Sequence, residues 1–247
     1  MKQNPIRFSV LEYAAWAPGL ETKSAWMDWA RYPLFNNTAS EPKLQAMPPI
    51  LRRRTDMLGK MALESAWQCL GNLKDIPVIY CSRHGEVTRA VEMLTDLAKG
   101  ELLSPTSFSL SVHNAIAGLF SIARSDQANH IAIASREDGV EHALIEACGL
   151  LADGAEKIML VVYNNALPYQ LTIFADQEEL PYSWAWLIAP PREDAITLSR
   201  TTATEIRSPS NTLLPCELEV FRFFLTGQKK LEIRNARNAW TWSRSYA

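Results

Sequence analysis

The 247-residue chain has only four cysteines, Cys69, Cys81, Cys148 and Cys216, and no two of them stand at a CxxC spacing. Zinc-binding and dithiol redox motifs are therefore unsupported. The burial preference of cysteine predicts four reduced, mostly buried thiols. An excess of either charge is lacking too: 25 Lys and Arg face 27 Asp and Glu, a net charge of −2, so nothing marks a nucleic-acid or anionic-membrane surface. Apolar runs are all interrupted before membrane-spanning length, and Met1-Lys2-Gln3-Asn4-Pro5-Ile6-Arg7 has no apolar stretch after its positive charge. Histidine stops at His142. The expectation is a soluble, cytoplasmic protein with no metal, no cofactor, no repeat and no low-complexity tract, whose partners are small molecules or proteins.

What the chain does have is a core: 47% of it is hydrophobic, enough for one domain or two small ones. Phe8 to Trp16 reads as a strand, and Thr22 to Tyr32 as a helix with Trp26 and Trp29 on one face. Residues 36–49 are polar, small and proline-bearing, which predicts a mobile connecting loop. Thr55-Asp56 caps a helix running to Leu70. Strands are expected at Pro77 to Cys81, His130 to Ala134 and Lys157 to Tyr163, with helices at Glu86 to Lys99, Val112 to Ala123 and Gly139 to Ala152. This alternation predicts an α/β layered, mostly parallel sheet covered by helices on both faces. Beyond Asn164, Tyr182 to Ala189 and Ala195 to Arg200 read as two strands of an antiparallel edge joined through Pro190-Pro191. A helix at Pro215 to Thr226 and a strand within Leu231 to Trp242 complete the series.

One stretch is distinctive. Ser104-Pro105-Thr106-Ser107-Phe108-Ser109-Leu110-Ser111-Val112-His113-Asn114-Ala115-Ile116-Ala117-Gly118 resembles the segment of β-ketoacyl-acyl-carrier-protein synthases that leads into their active site. A second block, Gly139 to Leu160, resembles the helix after the synthase nucleophile and the strand it enters. The similarity covers roughly residues 50–200. Joined without a gap, the two blocks put Glu137, 23 residues beyond Asn114, where the family's nucleophilic cysteine stands. The family needs a thiol there because a helix N-terminus lowers its pKa and receives the thioester oxyanion. A carboxylate cannot form that thioester, although a negative charge at a helix N-terminus is favourable by about 0.3–1 kcal/mol.

The synthases also draw two catalytic histidines and a lysine from a second, C-terminal half. Neither a Gly-Thr-Gly-Thr nor an Asn-x-Phe-Gly-Phe-Gly-Gly pattern occurs here. With Trp184-Ala185-Trp186-Leu187-Ile188-Ala189-Pro190, the chain is most similar to the short chain-length-factor-like proteins that accompany ketosynthases in aryl polyene biosynthesis. This resemblance implies a thiolase-like fold, N-terminal half only, over residues 1–247. It also implies a non-catalytic subunit that forms a heterodimer with a full-length β-ketoacyl-ACP synthase, with acyl carrier protein as an indirect partner. Ser107, Phe108, Ser111, Val112 and Asn114 would then lie at the partner interface and acyl pocket, although Phe108 also fits a core aromatic.

Two alternatives carry different chemistry. Glu137, beside Asp138, could serve a malonyl-ACP decarboxylase-like or hydrolytic reaction, but adjacent residues at a helix start point about 100° apart and no histidine is placed to assist. Arg52, Arg53 and Arg54 could dock an acidic carrier protein, or form a solvated basic turn. His113 reads as a hydrogen-bonded structural histidine.

Overall fold

A computed structural model describes residues 5–35, 39–202, 214–235 and 238–244. The first half runs β1 (Ile6–Trp16), α1 (Lys23–Arg31), the single turn α2 (Pro49–Arg52), α3 (Met57–Leu70), β2 (Val78–Cys81), α4 (Val87–Ala98), α5 (Pro105–Ser109) and α6 (Ala115–Arg124). The second runs β3 (His130–Ile133), α7 (Gly139–Ala152), β4 (Ile158–Asn164), a 3-10 turn (Tyr169–Phe174), β5 (Tyr182–Ala189), β6 (Ile196–Thr202), α8 (Cys216–Thr226), β7 (Lys230–Arg234) and β8 (Asn238–Arg244).

Local chemistry sets several of these boundaries. The Thr22 hydroxyl accepts the Ala25 N–H at 3.1 Å and starts α1, and an Asp56 carboxylate oxygen accepts the Gly59 N–H at 3.0 Å and starts α3. Prolines at the first turn of α2 and α5 occupy positions where no helical N–H is needed. The helix expected from Val112 begins only at Ala115, because the residues before it form α5 and a tight connection.

All eight strands join one sheet in the order β3-β2-β4-β5-β1-β6-β8-β7. Parallel pairing forms the β3-β2-β4 core, where helices connect successive strands. The other five ladders are antiparallel. The expected edge pair of Tyr182 to Ala189 with Ala195 to Arg200 does not form: β1 lies between them, and β5 is buried along its whole length between β4 and β1. Each of the three strands buries aromatic or aliphatic side chains, so the strand buried on both faces takes the centre. The single strand expected near the C-terminus is a hairpin, β7 and β8.

Alternation along the central strands builds two cores. Tyr182, Trp184, Trp186 and Ile188 of β5 face α1, α7 and α8, while Ala185 and Leu187 face the side covered by α3 and α6. β4 repeats the division, with Leu160 and Val162 on the first side and Val161 and Tyr163 on the second. The connection at 39–48 contains no helix or strand, yet Leu44 and Met47 are buried, and the Leu44 N–H donates to Glu64 at 2.8 Å. Residues 36–38 of the expected loop lie outside the described residues.

The first core turns on Trp184, whose ring stacks on Phe221 of α8 at 5.4 Å with an interplanar angle of 6°. Trp184→Ala should destabilise the fold by about 3–5 kcal/mol through the cavity it leaves. A urea unfolding midpoint within error of the wild type would show that α8 does not depend on this stack.

Candidate functional site

The Ser104 to Asn114 stretch lies largely on the surface, whereas Ile116 and Ala117 at the start of α6 are buried in the second core. Ser104 caps α5 by accepting the Ser107 N–H at 3.3 Å, and the Ser111 hydroxyl donates to the Phe108 carbonyl at 2.9 Å. These bonds hold a short helix and a turn in which Leu110 packs partly against the second core while Phe108 and Val112 are left exposed. Phe108 is 63% exposed and Val112 46%, so Phe108 is not a core aromatic. Ser107 and Ser111 are half-buried, and Asn114 is exposed.

The elements beside this segment share its character. α4 packs against α5, and a groove lined by Val91, Thr95, Pro168 and Gln170 separates α4 from the 3-10 turn. α4 is amphipathic, yet none of its residues is buried. Leu94 and Leu97 of α4, Leu102, and Tyr169, Ile173 and Phe174 of the 3-10 turn are all exposed. Lone exposed apolar residues are ordinary, whereas several on adjoining elements mark an interaction surface.

At the other sequence-derived position, Glu137 lies half-buried in the turn between β3 and α7. Its neighbour Asp138 is bound to the C-terminal hairpin. The Asp138 carboxylate is buried and accepts hydrogen bonds from the side-chain amides of Asn235 and Asn238 and, at 3.0 Å, from Trp240 Nε1. One turn on, Glu141 accepts from Trp242 Nε1 at 3.2 Å. The C-terminal hairpin thus supplies donors to two acids at the start of α7, Asp138 and Glu141. His142 is held as well, its Nδ1 lying 2.7 Å from the Asp138 carbonyl oxygen and 3.2 Å from the Ser135 hydroxyl.

The thiols offer no nucleophile in this region. All four are free, Cys69 and Cys81 buried and Cys148 and Cys216 half-buried, and burial pushes each one's pKa up. Cys216 reaches about 12, burial being the main cause and the Glu217 charge the next. Thiols of that acidity are not thiolates at neutral pH.

The three arginines do not act as a set. Arg52 donates to the carbonyls of Lys43 at 3.1 Å and Leu44 at 3.4 Å, fastening the 39–48 connection, while Arg53 and Arg54 are exposed.

A polar cluster that residue patterns did not single out follows β2. Arg83 Nη2 donates to Asp176 at 2.7 Å, His84 Nε2 is 3.6 Å from Glu179, and Asn164 Nδ2 donates to Glu179 at 2.9 Å. His113 packs against the neighbouring Gly85, its ring atoms 2.6–2.9 Å from where a Cβ would stand, and Gly85 has φ +54°. Only glycine fits both that contact and that backbone. His113 Nε2 is buried without a hydrogen-bond partner among the described residues, so this histidine is held by packing. The cluster's signal in sequence is the Ser-Arg-His-Gly-Glu run between an apolar strand and a helix, at the C-terminal end of a parallel strand where α/β proteins place ligands.

Comparison with known proteins matches residues 26–243 to the family described as β-ketoacyl synthase, N-terminal domain. Among solved structures, a ketosynthase in complex with its chain length factor from Xenorhabdus doucetiae aligns with a TM-score of 0.85 at 23% identity, over 97% of this chain and 100% of that one. The ishigamide ketosynthase/chain length factor aligns at 0.62 and 13% identity, over 82% and 68%. A type II polyketide synthase acyl-carrier protein in complex with its ketosynthase bound to the hexaketide aligns at 0.55 and 14%, over 74% and 63%. No curated protein matches the chain. The fold is the thiolase-like fold of a ketosynthase N-terminal half.

The buried acids of α7 make stability depend on pH. Burial, then the Asp138 and Glu217 charges, raise the Glu141 pKa to about 8 from an ordinary value of 4.5. A carboxyl whose folded pKa lies above its unfolded one binds its proton more tightly when folded, so its favourable contribution fades as pH rises from about 4.5 to about 8. Glu141→Gln keeps an acceptor for Trp242 and removes the titration. Its melting temperature should exceed the wild type's at pH 8 by more than at pH 5, and equal differences at both would exclude Glu141 as the source.

Proposed function

The chain belongs to the β-ketoacyl synthase N-terminal-domain family, and from that membership we propose that it is a non-catalytic chain-length-factor subunit. Its partner is a full-length β-ketoacyl-ACP synthase, whose acyl pocket it helps to shape during polyene or fatty-acid-type elongation. The carrying observation is the uncovered apolar surface on α4, α5 and the 3-10 turn, with Phe108 and Val112 at its α5 end. Edge strand β3 adds to it, pairing on one side with β2 and having no strand on the other among the described residues. The whole-chain likeness to a structure containing a ketosynthase and its chain length factor supports the same reading.

Several features fit a partner that supplies the chemistry. The α7 start carries Glu137 in place of a thiol, Asp138 is engaged by the hairpin, and the raised thiols are poor nucleophiles. Acyl groups then reach the pair on an acyl carrier protein, which engages the catalytic partner; exposed Arg53 and Arg54 are a secondary docking candidate. No described helix is long and apolar enough to cross a membrane. We place the pair in the cytoplasm, where carrier-protein substrates are made.

Co-expression with its synthase should give a heterodimer by size exclusion, and the chain alone should associate non-specifically through the same surface. A monodisperse monomer indifferent to the synthase would refute the pairing. Within the pair, Ser111→Phe or Ser107→Phe should shorten the products by overpacking the pocket wall, costing the longest acyl chain about 1–3 kcal/mol, roughly 5- to 150-fold in its yield. An unchanged product distribution removes both serines from that wall.

A further inference from the structure

α4 is encoded as a helix but is given no core to rest on. Its C-terminal end is closed at Gly100, which has φ +77°: the Gly100 N–H donates to the Leu97 carbonyl at 3.0 Å and the Glu101 N–H to the Asp96 carbonyl at 2.9 Å. Ala90, Leu94 and Leu97 follow one another at helical spacing and share a face, with Val87 and Ala98 beside them. That face is uncovered. Leu94 is 64% exposed and Leu97 57%, and no α4 residue is buried, whereas α3 buries Met61, Ala62, Leu63 and Ala66 completely.

Little else holds the helix. A 12-residue helix is marginal by itself in water, and the β-branched Val87, Thr88, Val91 and Thr95 lower its propensity further. Its first turn has no side-chain cap, and its main neighbour, α5, has no buried residue of its own. Attachment to the body of the protein is at the N-terminal end, where Arg89 lies 3.7 Å from Asp56 and 3.5 Å from Glu86. Ion pairs that keep some access to water add little stability.

We propose that α4 forms only loosely in the free chain and becomes a stable helix when the partner synthase lays an apolar groove over the stripe of Ala90, Leu94 and Leu97. The Arg89 ion pairs tether the N-terminal end in the meantime, so the segment stays close to its docking position. Thr88, Glu92 and Asp96 stand on the other side of the helix, toward the groove beside the 3-10 turn, so the partner's cover over the stripe is apolar. This inference rests on the pairing proposed above and adds how the surface engages: ordering of α4 and docking are one event.

Amide hydrogen exchange read by mass spectrometry tests it, on the full chain diluted until size exclusion shows a monomer and on its co-purified pair with the synthase. In the monomer the amides of residues 91–98 should exchange about 100-fold or more faster than those of α3, and pairing should slow them about tenfold or more. Leu94→Ser with Leu97→Ser, both at exposed positions, should leave the urea unfolding midpoint unchanged, weaken pairing about tenfold and restore fast exchange to α4 in the pair that remains. Exchange of α4 as slow as that of α3 in the monomer, or a pair that forms without slowing it, would overturn the inference and leave the pairing reading standing. Absence of any pair with the synthase by size exclusion would instead overturn that reading, and the docking of α4 with it.

Discussion

The constraint on which the molecule depends is burial of the central strands on both faces. β4 and β5 expose nothing, so each residue on them must meet a helix above or below the sheet. Tryptophans on one face of β5 demand the broad aromatic cover that α1 and α8 provide, with Trp26 edge-on to Trp29 at 5.0 Å and Phe221 stacked on Trp184. The small Ala185 on the opposite face lets α3 approach closely. Once these layers are filled, α4, α5 and the 3-10 turn have no core left to cover, and their apolar faces remain outside.

The same layering explains the electrostatics of α7. Acids near a helix start are favoured by the dipole, but burial makes their charge expensive. Asp138 meets that cost with three donors from the C-terminal hairpin, whereas Glu141 has one indole donor and a raised pKa. The hairpin therefore does chemical as well as structural duty, since β7 and β8 both complete the sheet and satisfy the turn in which Glu137 lies. A site of this kind is built for containment of charge.

Much of this was legible residue by residue. The Trp26 and Trp29 spacing, the Thr22 and Asp56 caps and the continuous apolar run at Lys157 to Tyr163 signal elements through local geometry, and those elements form where expected. The order of strands was not legible, because β1 and β5 are far apart in sequence and nothing local says that β1 separates β5 from β6. The candidate site divided in the same way. Ser104 to Gly118 stood out as a contiguous motif, but the cluster of Arg83, His84, Asn164 and Glu179 is assembled from three separate stretches, of which only Ser82 to Glu86 forms a contiguous run. Asn235 and Asn238 are further still from the acid they bind.

By itself the sequence determined most of the helices and strands and the family resemblance, since each depends on neighbouring residues or on a motif in register. Tertiary structure alone decided which apolar faces are covered and which stay exposed, and which carboxylates are satisfied. The reason is physical: burial and hydrogen-bond satisfaction are properties of groups that meet in space, and loops and crossing strands bring together residues whose separation along the chain carries no signal.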